Sequence, residues 1–270
     1  MKILIVGDVV GKSGRQALLS NLPYLRDQLK LDFVVVNGEN AAHGFGITDK
    51  ICTSFYEVGV DVITTGNHVW DQREIMNYID GDGRLLRPLN YPDGTPGKGT
   101  GTYKLDDGRK VLVIHPMCRL FMDPLDDPFA CTEDALKSFT LCDNVAAILV
   151  DVHGEASSEK QSLAHVLDGR VSAVVGTHTH VPTADHQILP GGTAFVTDLG
   201  MSGDYNSIIG MQKKNASARF TTKLPQGRLQ PADGEATLCA AYIETDDESG
   251  LATRIEPVMR GGCLRQYMPI

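Results

Sequence analysis

Residues 2–40 read KILIVGDVVGKSGRQALLSNLPYLRDQLKLDFVVVNGEN, and their pattern decides the fold. A short run of β-branched and aliphatic residues, KILIV, breaks at a turn of small and polar residues. Leu18, Leu19, Leu22, Leu25 and Leu29 then recur at the i, i+3, i+4, i+7 spacing of an amphipathic helix. DFVVVNG restores the strand. Strand, helix, strand in this order predicts a crossover unit with parallel strands, and continuous apolar strands are covered on both faces.

The grammar continues outward from this stretch. A helix is expected around residues 51–58, a strand at DVITTG, and another helix over residues 70–79. GTGTYKL and KVLVIHP, joined through Asp106, Asp107 and Gly108, alternate as an antiparallel hairpin. NVAAILVDV and VSAVVG resume the apolar strands, with a helix between them over residues 158–167. Beyond Gly192 strands and turns dominate, ending in a hairpin of LCAAYIE and LATRIEPVM around residues 245–250. Residues 90–101, rich in Gly and Pro, form a surface loop. Nothing marks an internal repeat or linker, so residues 1–270 are read as one α/β domain, a sandwich of two mixed sheets.

Bulk properties exclude several classes. No apolar run approaches the ~18 residues that span a bilayer, and the first one is too short for a signal peptide, so a cytoplasmic location is expected. Six cysteines show neither a C-x-x-C pair nor regular spacing, which argues against a zinc ribbon and a disulfide framework. A formal charge of -9 does not draw in an extended nucleic acid, although bound cations reverse the field locally for a small phosphate ligand.

Metal-capable side chains end five strands: Asp8, then Glu39 with Asn40, then Asn67, then His153, then His178 with His180. Ligands of open α/β sheets sit beyond the carboxyl ends of strands, where these groups would converge. His178 and His180 are the sharpest local signal, since an extended backbone at GTHTH points both imidazoles to one side. Singly, Asp8, Asn40 and Asn67 are ordinary turn residues, and Glu39 or His153 alone could be merely solvated or hydrogen-bonded. Together they have a logic: a carboxylate bridges two cations, imidazole and amide donors complete the shells, and a water between them becomes a nucleophile. Donors of nitrogen and oxygen without thiolate suit Fe or Mn, and also admit Mg or Zn. His68, next to Asn67, is the candidate general acid. Gly7, Gly11, Lys12 and Ser13 imitate a phosphate loop, but one residue is missing between the glycines and Asp8 would repel phosphate.

The motifs GDVVG, NGEN, GNHVW, DVHGE and GTHTHVPTAD resemble, in order, those of the calcineurin-like metallophosphoesterases. The longer wording NGENAAHGFGIT, TTGNHVWD and GTHTHVPTADHQILPGGTAFVTDLGMSG is similar to the YmdB-type bacterial branch. That resemblance implies a four-layer α/β/β/α sandwich, a homo-oligomer and a binuclear centre hydrolysing small phosphodiesters, including 2',3'-cyclic nucleotides, through a metal-bridging hydroxide. It implies one ion on Asp8, Glu39, Asn40 and His180, and a second on Glu39, Asn67, His153 and His178. Two departures stand out. Val10 replaces the usual His of the first motif, which leaves Asn40 to supply the donor and weakens the first site. Val69 follows His68 where the family often has an acid, which leaves His68 without an orienting carboxylate from that position. Rival readings are a phosphomonoesterase or nucleotidase on the same centre, and a non-catalytic metal-bound regulatory scaffold. No residue is assigned to the substrate's base: Phe45, Trp70 and Tyr205 merely lie near the motifs.

Overall fold

A computed structural model describes residues 1–222, 224 and 227–269. Strand β1 (Lys2–Val6) enters helix α1 (Gly11–Leu29), which returns to β2 (Phe33–Asn37). Next come α2 (Asp49–Glu57), β3 (Val62–Thr64), a short α3 (Ile75–Tyr78) and β4 (Leu85–Leu86). The second half runs β5 (Thr100–Lys104), β6 (Lys110–Ile114), α4 (Pro128–Leu136), β7 (Ala147–His153), α5 (Ser157–Leu167), β8 (Ala173–Thr177), β9 (Gln187–Ile188) and β10 (Ala194–Val196). Helix α6 (Lys213–Thr221) precedes the closing hairpin of β11 (Leu238–Thr245) and β12 (Ala252–Arg260).

Two six-stranded mixed sheets result, ordered β12-β11-β1-β2-β3-β4 and β5-β6-β7-β8-β10-β9. In the first, β1 to β4 are parallel and the final hairpin adds antiparallel to β1. In the second, β6, β7, β8 and β10 are parallel, edged by antiparallel β5 and β9. Alternation along each strand divides the apolar side chains among three cores. Leu4, Val6, Val34 and Val36 face outward onto Leu18, Leu22 and Leu25 of α1 and Phe55 of α2. Ile3, Ile5, Val35 and Val62 face inward onto Val111, Val113, Leu149 and Val175 of the other sheet. Ile148, Val150 and Val174 face outward again onto Leu163 and Leu167 of α5. The layers are therefore α/β/β/α, as the resemblance implies.

Two local readings need correction, and one helix lies where the sequence reading assigned no element. The helix expected over residues 70–79 shrinks to α3 and a 3-10 turn at Ile79–Gly81, because polar side chains before it bond elsewhere than along a helix. His68 and Gln72 are occupied by Asp71 and by the Phe45 carbonyl. Helix α4 was announced by Asp127-Pro128, with Asp127 accepting from the Phe129 and Ala130 amides as N-cap, a signal the apolar periodicity did not carry. Helix α6 lies in the stretch read as strand and turn, and only its Ala216 is buried.

Leu149 is 1% exposed in the core between the sheets. Leu149→Ala should cost about 2–5 kcal/mol, lowering the urea midpoint with the slope unchanged. A loss under about 1 kcal/mol would contradict this inter-sheet packing.

Candidate metal centre

Because β1, β2 and β3 are parallel neighbours, as are β7 and β8, their carboxyl ends line one crest formed where the two sheets meet. All seven ligand candidates gather there. Ligand atoms of Glu39, His153 and His178 lie within 4.8 Å of one another, as do those of Asp8, Glu39 and His180, so Glu39 belongs to both groups. Asn67 Oδ1 is 3.1 Å from His153 Nε2, and Asn40 Oδ1 is 3.2 Å from His180 Nε2.

Supporting hydrogen bonds fix how each ring faces the centre. Thr177 Oγ1 donates to Asp151 at 2.8 Å, so it accepts from His153 Nδ1 at 2.9 Å and leaves the Nε2 lone pair inward. His180 Nδ1 donates to the Ile209 carbonyl at 2.8 Å, which turns its Nε2 inward. Glu155 stands 3.4 Å from His178 Nε2 on the outer side, leaving Nδ1 inward. Asn40 donates through Nδ2 to the Gly44 carbonyl, so its oxygen points to His180.

Acceptors therefore confront acceptors. His153 Nε2 faces Glu39 Oε2 at 3.2 Å, Asn67 Oδ1 at 3.1 Å and His178 Nδ1 at 3.1 Å, with no proton among them in these tautomers. Asp8 Oδ1 is buried and has no hydrogen-bond partner among the described residues. Such an arrangement is costly unless positive charge fills it. This donor set fits a pair of cations. Gly66 leaves the room: a Cβ there would collide with Glu39 Oε2 and His153 Nε2.

Without cations the acids and imidazoles perturb one another. Burial pushes Asp8 up to about 6 against the pull of His180 and His153. Burial also opposes ionisation of Glu39, but His153 and the neighbouring imidazoles outweigh it and hold the carboxyl well below its ordinary range. His153 is correspondingly raised, its burial overcome by Glu39. Burial, assisted by His153, pushes His178 down to about 3.

The His178–His180 pair converges for a different reason than an extended backbone. Strand β8 stops at Thr177, and His178 and His180 take φ of 106° and 66°, a region non-glycine residues seldom adopt. The Thr179 amide is held by Asp198, itself paired with buried Lys160 at 2.8 Å. His68 likewise departs from expectation. Although Val69 brings no acid, Asp71 supplies one three residues on, 2.9 Å from His68 Nδ1, and the His68 amide donates to Glu39 at 3.3 Å. Ser13 of the phosphate-loop look-alike is buried and donates to the Ala232 carbonyl, consistent with its rejection. Asp151, Thr177, Glu155 and Asp71 carry supporting roles that the sequence reading did not assign, although all four lie within the quoted motifs DVHGE, GTHTH and TTGNHVWD, one to four residues from a candidate.

The YmdB-like protein family matches residues 4–258. A Bacillus subtilis protein named 2',3'-cyclic-nucleotide 2'-phosphodiesterase is 46% identical over 259 residues, covering 96% of this chain and 97% of that one. A Thermus thermophilus structure described as a hypothetical protein superposes with a TM-score of 0.90 at 43% identity, covering 97% of this chain and 100% of that one. A Mycoplasma pneumoniae structure described as a novel phosphatase gives 0.88 at 30% identity, covering 97% and 93%. With this agreement in sequence over nearly the whole chain and in backbone throughout, the chain belongs to the YmdB-like protein family, the branch of the calcineurin-like metallophosphoesterases that its motifs resemble.

Proposed function

We propose that the chain is a binuclear metal-dependent phosphodiesterase acting on 2',3'-cyclic nucleotides or related small diesters. The observation that carries the reading is Glu39, buried and common to both donor groups. The activity named for the Bacillus subtilis relative supports it. Asp8, Glu39, Asn40 and His180 would hold one cation, and Glu39, Asn67, His153 and His178 the other, with Mn or Fe suited to these donors. When bound, such a pair neutralises phosphoryl oxygens and acidifies water.

The remaining work falls to the chain itself. Water adds to phosphorus and releases a proton to solvent, the bond from phosphorus to O2' breaks, and O2' takes a proton, giving the nucleoside 3'-monophosphate. In this reading His68 gives O2' that proton. Asp71 engages its Nδ1, the ring is partly exposed beside the centre, and Nε2 is left to face the leaving oxygen. Because His153 donates through Nδ1 to Thr177, which in turn donates to Asp151, its Nε2 is kept as an acceptor available to a cation.

Two outcomes are expected. Stepwise chelation of the Mn- or Fe-loaded protein should release the ion on Asp8, Asn40 and His180 first, since an amide oxygen replaces an imidazole there, and hydrolysis should stop and return on adding metal. Simultaneous loss of both ions would contradict the asymmetry. His68→Ala should slow hydrolysis of an unactivated diester on the order of a hundredfold or more while metal content stays at the wild-type value. Full activity of that variant would remove His68 from the mechanism.

A further inference from the structure

Of the three aromatics near the motifs, two have structural employment. Trp70 stacks on Tyr91 with ring centroids 6.3 Å apart. The Tyr205 hydroxyl accepts from the Met201 amide and donates to its carbonyl, both at 2.9 Å. Phe45 differs. Its ring is partly exposed and meets His68 edge to face, with centroids 5.1 Å apart.

The loop that presents Phe45 is unusually constrained. His43, Gly44 and Gly46 all have positive φ, at 55°, 87° and 77°. The Phe45 amide donates to the Ala42 carbonyl at 3.0 Å, and its carbonyl accepts from Gln72 Nε2 at 2.7 Å. Gln72 follows Asp71, so this bond ties the ring to the turn that carries His68. Asn40 is tied to the other side through the Gly44 carbonyl at 3.1 Å. The Arg228 guanidinium lies over the ring, 5.9 Å from its centroid.

We infer that Phe45 is the platform on which the substrate's nucleobase stacks, with Arg228 closing over the far face of the base. The inference rests on the diesterase reading above and adds the part of the substrate that reading leaves unplaced. In a 2',3'-cyclic nucleotide O2' is attached to C2', and the neighbouring C1' carries the base. A leaving O2' held at His68 therefore sets the base within a few ångströms of that ring, on the side where Phe45 stands. Stacking on an aromatic face tolerates any base, and a guanidinium on the opposite face adds cation–π attraction. A preorganised ring also spends little conformational freedom on binding.

The test compares a 2',3'-cyclic nucleotide with glycerol 1,2-cyclic phosphate, which has the same five-membered diester but no base. Wild type, Phe45→Ala and Phe45→Tyr, each loaded with Mn and checked for metal content, are assayed on both. In Phe45→Ala the ratio of kcat/KM for nucleotide over glycerol substrate should fall about tenfold or more, mainly through KM, and Phe45→Tyr should restore it. An unchanged ratio overturns the proposal. It does so whether both substrates slow together, which makes Phe45 a support for His68, or neither slows. Should Mn-loaded wild type hydrolyse neither substrate, the diesterase reading itself fails and takes this inference with it.

Discussion

A carboxylate buried to 1% exposure and shared by two groups of inward-facing acceptors is the constraint around which this molecule is organised. Glu39 cannot be there cheaply: removing an ionised carboxylate from water costs several kcal/mol unless opposite charge replaces the solvent. With the histidines neutral, hydrogen bonds do not supply that charge, because Thr177 and Ile209 accept from the outer nitrogens of His153 and His180, and Glu155 stands at that of His178, which turns the bare nitrogens inward. A pair of cations would resolve the conflict for Glu39, for the orphaned Asp8 oxygen and for the opposed amide oxygens of Asn40 and Asn67 at once.

The scaffold braces the pocket from below and from above. Just beneath it, Asp151 of β7 accepts from Thr64 of β3 at 2.5 Å and from Thr177 of β8 at 2.8 Å, a polar rivet between two otherwise apolar sheet faces. Satisfying every member of that small network holds the two sheets at one separation. Above it, the left-handed conformations of His178 and His180 are held by the buried Lys160–Asp198 pair and the Ile209 carbonyl. Local strain at the site is thus carried by packing outside it, a common division between function and stability.

The layers and the donor set were legible in the sequence for the same reason. Apolar strands such as FVVVN are decided by burial on both faces, and their ends must fall on one edge once the strands are parallel. What was hidden depends on contacts that spacing alone does not fix. Thr177 and Asp151 read as ordinary strand residues until β7 and β8 are side by side, and nothing in TTGNHVWD says that Asp71, not position 69, would reach His68. The GTHTH pair was found by its spacing, yet its backbone is not the extended one that made the spacing persuasive. Helix α6 escaped because only Ala216 of its nine residues is buried, which leaves little apolar stripe to see.

The central claim, that one shared acid holds two cations together, is tested most directly by counting metal bound per chain in wild type and in Glu39→Gln after identical loading with Mn. Two ions per chain in wild type and at most one in the variant, with the fold unchanged by circular dichroism, is the predicted result. Two ions retained by Glu39→Gln, or none taken up by wild type, would contradict it.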